Sequence, residues 1–415
     1  MDSDHPPLVV HVVNRLEGGG TERVLKTFVR SADRVRFRHA LVTLREAGSF
    51  CGELPSDVRV CALATKGVSR LSGFWLARVL RRWKPAIVHA RGAGCWSDTI
   101  VGTTLAGRIP AVLGFHGLEK GSSFTPNQVR AARWACRLGA TFASVSRAGI
   151  EMMKDQLGIS PEIIQHLPNG VDHDRFVPPR VEQRMAVRNS LGISPSSVVV
   201  GSVASLTPIK RHDLIIDALC RVRRLNGDVS LLVVGGGALR STLAERARRQ
   251  GAEEQVHFLG HRERVAELYH AMDMYVCASD SEGVSNSVLE AMSCGLPVVT
   301  TRVGDHGILI RDGVEGVVVA SGSASALADG MWRILSSPAG CERMRRSARL
   351  RACAMDLGDM VTRHEQLYAR LALGESVTKS PLMPAGSQPG EACVGGIAAC
   401  WERGEILRPP SADSE

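Results

Sequence analysis

Apolar and polar positions along the chain follow two alternating patterns, short aliphatic runs and longer stretches with a helical period. In the first half, each short run is apolar at successive positions, which is typical of strands buried on both faces of a sheet. A helical pattern covers about Thr21 to Val29, and another covers residues 74–85, where Pro85 ends it. The predicted strands are residues 8–13, 39–44, 58–63, 86–90, 111–115 and 140–145.

The pattern loosens over residues 175–197, which are rich in Pro, Arg and Ser, and a second βα series then begins. Its predicted strands are residues 198–206, 229–236, 256–260, 273–279, 297–301 and 316–320. Two series of this size predict an α/β chain with two Rossmann-like doubly wound domains, at residues 1–180 and 198–358.

Three further segments complete the predicted organisation. We expect a linker at 181–197 and a last helix at 359–373. The tail at 374–415 is rich in Pro, Gly and Ser, a composition that predicts disorder because it offers too little apolar surface to bury.

The charge of the chain is uneven. It carries 51 Lys and Arg against 42 Asp and Glu, a formal net charge of +9. Residues 1–190 hold 27 of the basic and 16 of the acidic residues, which leaves 24 and 26 for the remainder. A basic first half favours an anionic partner such as phosphates, an acidic polysaccharide or an anionic membrane surface. A soluble, Arg-rich protein without such a partner has the same balance.

The cysteines, the apolar runs and the first residues indicate where in the cell the protein is expected. The eleven cysteines include no C-x-x-C pair, so neither a disulfide framework nor a zinc site is indicated. No apolar run approaches the roughly 18 residues that a membrane span needs. The start, MDSDHPPLVVHVV, is acidic and then strand-like, unlike a signal peptide. We therefore expect a cytoplasmic protein, at most peripheral on the inner face of the membrane.

The stretch SDSEGVSNSVLEAMSCGLPVVT, residues 279–300, carries the candidate chemistry. It predicts a loop after a strand, a helix capped by Ser285 or Asn286, and a left-handed end at Gly295. A helix N-terminus at the carboxyl end of a strand is a natural seat for a diphosphate. Glu282 before that seat and Glu290 within the helix suit the paired hydroxyls of a nucleotide sugar. The spacing alone is equally that of two solvated surface acids.

The same stretch resembles the signature of family 4 glycosyltransferases, with its Glu-x7-Glu element. Further similar segments follow in order over nearly the whole folded chain: EGGGTERVL, KPAIVHAR, FHG, SVSRAG, LPNGVDHDRF, SVASLTPIKRHDLIIDAL, VVGGGALR and HFLGHRERVAELYHAMDMYV. The resemblance implies the GT-B architecture, in which two Rossmann-like domains face a cleft. It also implies that the second domain holds the nucleotide sugar, that the first binds the acceptor, and that the helix at 359–373 crosses back to the first domain.

The resemblance also implies roles for individual residues. Glu282 contacts the transferred sugar, Glu290 the ribose hydroxyls and Lys210 the diphosphate, where a fixed cation stabilises the departing charge. His116 faces the reacting sugar, so the catalytic candidates are His116, Lys210 and Glu282. The donor-binding candidates are Gly19, Gly20, Ser205, Lys210, Glu282, Gly283, Val284, Ser285, Asn286 and Glu290.

The chain departs from the family pattern at two places. Many members have Gly-Arg-Leu where this sequence has Ala204-Ser205-Leu206, so the second diphosphate cation is missing and Ser205 supplies at most a neutral hydrogen bond. Members often carry a Glu near the position of Ile308.

Other cofactor sites are not indicated. Asp172-His173-Asp174 has the Asp-x-Asp form of the metal site of the other large glycosyltransferase fold, but it precedes the linker rather than following a strand of the donor half. No full G-x-G-x-x-G follows Gly18, Gly19 and Gly20, which weakens a dinucleotide interpretation. We expect no metal and no cofactor.

These features predict a retaining, metal-independent hexosyltransferase. Its donor would be a nucleoside diphosphate sugar, for which we favour a UDP-sugar, and its acceptor a glycan or lipid-linked molecule of polysaccharide or cell-surface glycan biosynthesis. We expect no nucleic-acid partner. Two alternatives are a nucleotide-sugar epimerase on the same architecture and a non-catalytic nucleotide-sugar-binding module.

Overall fold

The computed structural model describes residues 5–16, 19–63, 71–117, 122–225 and 227–375. Within these ranges the chain forms two compact units. Unit 1 comprises the residues up to 169 together with 357–375, and unit 2 comprises residues 170–356. Each unit is built on one parallel sheet.

The sheet of unit 1 has seven parallel strands in the order β3-β2-β1-β4-β5-β6-β7. Its strands are β1 Leu8–Val13, β2 Arg38–Thr43, β3 Arg59–Ala62, β4 Ile87–Arg91, β5 Ala111–Phe115, β6 Thr141–Ser144 and β7 Ile164–His166. The helices that alternate with them are α1 Gly20–Ser31, α2 Ser72–Trp83, α3 Trp96–Leu105, α4 Pro126–Arg137 and α5 Arg147–Leu157. The strand order reverses between β1 and β4.

The sheet of unit 2 has six parallel strands in the order β10-β9-β8-β11-β12-β13. Its strands are β8 Val198–Val203, β9 Val229–Val234, β10 Val256–Gly260, β11 Met274–Cys277, β12 Val298–Thr301 and β13 Gly316–Val319. Its helices are α6 Val181–Ser190, α7 His212–Arg223, α8 Arg240–Arg249, α9 Ala266–His270, α10 Asn286–Ser293, α11 His306–Leu309, α12 Ala324–Leu335 and α13 Pro338–Cys353. The strand order reverses between β8 and β11, so the prediction of two Rossmann-like units is confirmed.

The strands are apolar on both faces because helices cover both. In β1, Val9 and Val13 pack into one core of unit 1, and Val10 and Val12 pack into the other. This alternation follows from the period of two residues along a strand. Each strand predicted from the sequence is present, and within the described residues the sequence missed only the three-residue β7, which is too short to carry a pattern.

The stretch at 181–197, expected to be a linker, contains helix α6. Arg184 and Arg188, four positions apart on α6, both pair with Asp273, which precedes β11. Asp273 also accepts from the backbone N–H of Val199 at 2.8 Å. The Arg content that suggested a linker therefore fixes α6 to unit 2.

The last helix, α14 Leu357–Ala372, is grouped with unit 1. Leu367 and Tyr368 are fully buried in the core that also holds Phe28. Glu365 accepts from the backbone N–H of Asp33 at 3.0 Å and from Arg36 at 2.9 Å.

Two further expectations concern membranes and the tail. No helix in the described part of the chain is both long enough and apolar enough to cross a membrane. The predicted disordered tail lies outside the described residues from 376 onward.

We predict that Asp273→Asn lowers the free energy of unfolding by about 3–5 kcal/mol, because two buried guanidinium groups lose their counter-charge. Denaturant unfolding measures the change. The control is Glu245→Gln, since Glu245 also pairs with two arginines, Arg248 and Arg249, but at the surface. Equal losses in the two variants would contradict a stabilising role for the Asp273 cluster.

Candidate functional site

The loops that follow β8 and β11 adjoin where the strand order of unit 2 reverses. The backbone N–H of Asp280 in the second loop donates to the carbonyl of Ile209 in the first at 2.8 Å. Ligands of open α/β sheets bind at such a reversal, outside the carboxyl ends of the strands. At this point the structure brings Lys210 and Glu282 together as an ion pair.

The ion pair is partly buried and has one further partner. The side chains of Lys210 and Glu282 are 22% and 12% exposed. The Ser279 hydroxyl donates to the same carboxylate oxygen at 2.8 Å and thereby fixes its orientation. Because an ammonium group has three N–H donors, Lys210 can bind a second anion while it holds Glu282.

Lys210 is positioned by a tight turn. It ends a short 3₁₀ helix, Pro208–Lys210, and Arg211 then adopts a left-handed backbone at φ 50° before α7. The Arg211 side chain bonds to Asp213 at 3.0 Å and to Asp280 at 3.2 Å. Asp213 and then Asp280 raise the pKa of Arg211 above its ordinary value. The guanidinium charge of Arg211 is therefore paired with the carboxylates of Asp213 and Asp280.

The backbone of Glu282 is held by the loop that follows β12. The N–H of Asp305 donates to the carbonyl of Gly283 at 3.1 Å. Gly304 has φ 49°, and a Cβ atom there would lie 2.2 Å from the carbonyl oxygen of Glu282. Only glycine allows this approach, so the contact depends on Gly304.

Helix α10 begins and ends where the sequence predicts. Ser285 is its N-cap residue, but the Ser285 side chain makes no capping bond and its Oγ lies 3.1 Å from Oγ of Ser287. The helix ends at Ser293; Gly295, whose φ is 71°, follows the C-cap residue Cys294, and the N–H of Leu296 bonds back to Ala291 at 3.0 Å. The positive end of the α10 dipole therefore follows the Glu282 loop at the carboxyl end of β11.

Glu290 lies one turn into α10. Its carboxylate accepts from the hydroxyl of Tyr269 at 2.7 Å. Burial, and then the charge of Glu290, raise the pKa of Tyr269 well above its ordinary value, so Tyr269 stays protonated and donates. The neighbouring Tyr275 hydroxyl lies 2.7 Å from Oγ of Ser287 on the same helix.

The predicted site residues divide between the units. Unit 2 holds Ser205, Lys210, Glu282, Gly283, Val284, Ser285, Asn286 and Glu290. Ser205 is exposed in the loop after β8, and Val284 is half-buried against the core of unit 2. Unit 1 holds Gly19, Gly20 and His116.

In unit 1 the predicted glycine loop gives the start of α1. Gly19 is the N-cap residue and Gly20 is the first helical residue. A Cβ atom at Gly19 would lie 2.3 Å from a carboxylate oxygen of Glu22, whereas one at Gly20 would meet open space. Gly18 lies outside the described residues.

His116 directly follows β5 and lines a small cavity with Arg91, His89 and His364. Burial, and then the charge of Arg91, lower the pKa of His116 to about 3. The His116 imidazole is therefore neutral at physiological pH. One of its ring nitrogens can donate a hydrogen bond and the other can accept one.

A cluster of five histidines extends from this cavity into unit 1. It comprises His11, His39, His89, His116 and His364. Burial lowers the pKa of each member, to about 3 for His39, and Arg91 acts in the same direction. All five are therefore neutral in the folded protein near neutral pH.

The Asp-x-Asp stretch has a local structural role. Asp172 accepts from the backbone N–H groups of Asp174 and Arg175, both at 3.1 Å, and so closes a turn. Nδ1 of His173 lies 2.9 Å from Oγ of Ser293. Within the described ranges, no group of three or more His, Cys, Asp or Glu side chains is placed to hold a metal ion.

The sequence reasoning missed the tyrosines that support the candidate residues. The chain has three, and all are buried: Tyr269 bonds to Glu290, Tyr275 to Ser287 on α10, and Tyr368 to His89. Tyrosine is rare in this chain, which has few aromatic residues, and that rarity is the feature of the sequence that could have identified these three residues.

His306 was also missed. It begins α11 in the loop region that holds the Glu282 backbone, and its Nδ1 lies 2.8 Å from Oγ1 of Thr300. Burial lowers the pKa of His306, while the charge of Glu282 acts in the opposite direction. Ile308, where a Glu is often found in similar sequences, is half exposed.

Two family models match the chain, and together they cover most of it. The model described as Glycosyltransferase Family 4 matches residues 18–175, which lie mainly in unit 1. The model described as Glycosyl transferases group 1 matches residues 183–351, which lie in unit 2.

Named relatives share part of their length with the chain. A GDP-mannose-dependent alpha-(1-6)-phosphatidylinositol monomannoside mannosyltransferase of Mycolicibacterium smegmatis is 35% identical over 56% of this chain and 63% of its own length. A D-inositol 3-phosphate glycosyltransferase of Actinosynnema mirum is 34% identical over 46% of this chain and 49% of its own length. The chain therefore spans about half to two thirds of these relatives.

A solved structure is similar over nearly its full length. The Anabaena protein Alr3699/HepE, in complex with UDP and glucose, has a TM-score of 0.76 at 22% identity and covers 87% of this chain and 99% of its own. At 22% identity, this structural similarity shows that the two proteins share a fold.

We predict that the free energy of unfolding falls as pH is lowered from 7 to 5. The unfolded chain takes up protons on its histidines near pH 6.5, whereas the buried cluster stays neutral to about pH 3 for His39 and His116. Because the unfolded state binds more protons in this window, each cluster histidine removes up to about 1.4 kcal/mol per pH unit.

Urea unfolding at a series of pH values measures this slope. His39→Gln should reduce the slope, and His5→Gln, at an exposed position, should leave it unchanged. Stability that is constant or rises on acidification would contradict a neutral buried cluster.

Proposed function

This chain belongs to the family 4 glycosyltransferases, and we propose that it moves a hexose from a nucleoside diphosphate sugar to a glycan or lipid-linked acceptor. The observation that carries the proposal is the Lys210–Glu282 ion pair at the strand-order reversal of unit 2, beside the N-terminus of α10. The reaction would serve polysaccharide or cell-surface glycan biosynthesis.

The proposed donor contacts follow from the charges of this site. The diphosphate binds Lys210 and the N-terminus of α10, since a cation and a helix dipole both favour negative charge. Glu282 accepts from hydroxyls of the transferred hexose, and Ser279 holds its carboxylate in place at 2.8 Å. Glu290 accepts from the ribose hydroxyls while Tyr269 occupies its other side.

Lys210 also stabilises the nucleoside diphosphate as it leaves. Negative charge grows on the diphosphate as the glycosidic bond breaks, and a fixed ammonium stabilises that charge more than it stabilises the bound donor. Ser205 adds a neutral hydrogen bond where many family members have Arg. Lys210 therefore carries a larger share of this stabilisation than in relatives with two cations.

We propose that the anomeric configuration is retained. The acceptor hydroxyl attacks from the face that the diphosphate leaves, and a phosphate oxygen takes its proton. Neutral His116 positions the acceptor at unit 1, with Gly19 and Gly20 at the start of α1. Because Glu282 is paired with Lys210, it serves as a hydrogen-bond acceptor rather than as a nucleophile.

The donor base is proposed as uracil. A mannosyltransferase relative at 35% identity is named for GDP-mannose, whereas the structural neighbour from Anabaena was solved with UDP and glucose. A donor assay therefore compares UDP-hexoses with GDP-mannose.

We predict that Lys210→Ala and Glu282→Ala each lower kcat/KM by about 100- to 1,000-fold, because each removes a charge at the reacting centre. The assay follows donor consumption with membrane extract as the acceptor source. Lys154→Ala, which breaks an exposed ion pair with Glu151, is the matched control and should retain activity. Circular dichroism confirms the fold, and near-wild-type rates in both site variants would refute the assignment.

Two other functions give different results in the same experiment. An epimerase would convert the donor without any acceptor. A binding module would bind nucleoside diphosphates in calorimetry without consuming the donor. Transfer of labelled hexose to an extractable acceptor supports the glycosyltransferase.

We further propose that unit 1 docks on an anionic membrane through α2. Leu71, Phe74, Trp75 and Arg78 are exposed at positions that share one helical face, and Arg82 continues that face. Leu76 and Leu80 on the opposite face are fully buried in unit 1. Exposed aromatic residues beside arginines suit the boundary between lipid headgroups and acyl chains.

We predict that the protein floats with anionic liposomes and not with neutral ones, and that Trp75→Ser with Phe74→Ser abolishes flotation. Binding should weaken as salt is raised, because the arginine contribution is screened. Trp332→Ser, at an exposed tryptophan of unit 2, is the control and should float as wild type does. Equal binding to anionic and neutral liposomes, or binding to neither, would refute the membrane proposal.

A further inference from the structure

Arg211 has a backbone conformation that is costly for an arginine. It is the N-cap residue of α7, and its φ and ψ of 50° and 42° lie in the left-handed region. A Cβ atom is strained there, whereas glycine adopts the region freely. N-cap residues are ordinarily extended, and left-handed residues ordinarily follow the end of a helix, as Lys84 follows α2. A strained residue persists where its other contacts hold it, so the reason for an arginine here lies in its side chain.

The guanidinium group of Arg211 joins two acids from different segments of unit 2. Its Nε and Nη2 donate to the two carboxylate oxygens of Asp213 at 3.1 Å and 3.0 Å, and its Nη1 donates to Asp280 at 3.2 Å. Asp213 lies in the first turn of α7, and Asp280 lies in the loop after β11. The two-point contact with Asp213 fixes the plane of the guanidinium and directs Nη1 towards Asp280.

Asp280 contacts the chain on both sides of Lys210. Its backbone N–H donates to the carbonyl of Ile209 at 2.8 Å, and its carboxylate accepts from Arg211. Lys210 lies between these two residues, and Glu282 lies two residues after Asp280. The loop that carries Lys210 is therefore tied at two points to the loop that carries Glu282.

The loop after β11 is itself anchored to the sheet. Oγ1 of Thr301, the last residue of β12, donates to the carbonyl of Ser279 at 2.6 Å. The Ser279 hydroxyl in turn donates to Glu282. Because Asp280 follows Ser279 directly, it is a fixed point against which the chain on either side of Lys210 is held.

We propose that the Arg211–Asp280 ion pair positions Lys210 for the departing diphosphate. The two side chains are 27% and 22% exposed and are paired with each other, so they act through Lys210 rather than by contact with the donor. The inference rests on the proposed function and deepens it by naming residues that set the geometry of its central cation. A cation that is held in place before the reaction stabilises the departing charge without rearrangement. Loss of the ion pair should therefore lower kcat more than it raises KM.

Arg211→Gly tests the side chain apart from the strained backbone. The unfolding midpoint should change little, because relief of the strain offsets the loss of half-exposed ion pairs. Transfer is measured well below the midpoint, with the UDP-hexose or GDP-mannose that the donor assay selects. The value of kcat should fall about ten- to a hundredfold with a smaller change in KM, since a misplaced cation stabilises the departing charge less well. Arg211→Lys keeps the charge without the two-point contact and should recover part of kcat.

Arg108→Gly is the matched control for the backbone. Arg108 is also left-handed, at φ 60°, and lies exposed in the loop before β5 of unit 1. The substitution relieves similar strain away from the candidate site and should leave kcat unchanged. A loss of kcat as large as that in Arg211→Gly would overturn the proposal.

Asp280→Asn tests the other partner of the ion pair. It keeps the backbone N–H that bonds to Ile209 but removes the carboxylate charge, so kcat should fall as in Arg211→Gly. The matched control is Asp217→Asn, because Asp217 forms a similar two-point pair with Arg246 between α7 and α8. This control should retain the wild-type kcat, and a wild-type kcat in Asp280→Asn would overturn the proposal.

Dependence on Lys210 separates positioning from a general structural role. The Lys210→Ala protein has no ammonium group to position, so adding Arg211→Gly should lower its kcat by less than about twofold. A further loss as large as that in the wild-type background would show that Arg211 acts independently of Lys210, and would overturn the proposal.

A binding measurement distinguishes failure of this proposal from failure of the proposed function. UDP and GDP are titrated into each variant by calorimetry, because a nucleoside diphosphate carries the charge that departs. The Kd of the nucleotide that binds should rise about tenfold in Arg211→Gly, and should not rise further where Lys210→Ala is already present. Transfer that depends on Lys210 but is unchanged in Arg211→Gly would overturn the positioning role alone. Nucleotide binding that weakens in Arg211→Gly only where Lys210 is present, without any transfer, would support positioning and refute the proposed function.

Discussion

The ion pair between Lys210 and Glu282 is the interaction on which the candidate site depends. The two residues are far apart in the sequence, and they meet because parallel strands place their carboxyl ends at one edge of the sheet. The surrounding backbone is built to keep them there: Arg211 turns the chain into α7, and Gly304 lets the next loop close on the carbonyl of Glu282. In the proposed reaction, a charge pair held in this way would bind the diphosphate with little rearrangement, which favours stabilisation of the departing charge.

The two units use the same sheet topology with different electrostatics. Each strand order reverses beside a cation, Lys210 in unit 2 and Arg91 in unit 1. Lys210 is balanced by Glu282, whereas Arg91 is surrounded by neutral imidazoles and Tyr368. Burial keeps those imidazoles neutral, and the positive charge of Arg91 reinforces that effect.

The strands were predictable from the sequence because burial on both faces leaves a local run of apolar residues. The course of α10 was predictable because Gly295 marks the end of the helix. The sequence predicted a linker where α6 lies, since the pairing of Arg184 and Arg188 with Asp273 is a contact that no local pattern records. The supporting hydroxyls of Ser279 and Tyr269 were missed for the same reason. Residue types at the site were predictable, whereas their partners depend on strand order, which the sequence does not display.

The most direct test of the central claim is a double-mutant cycle on kcat/KM for Lys210→Ala, Glu282→Ala and the double variant. Residues that act as one unit show strongly non-additive effects. The account predicts that the double variant is about as slow as the slower single variant, because either change dismantles the same charge pair. Losses that simply multiply would show that Lys210 and Glu282 act independently, which would contradict the account.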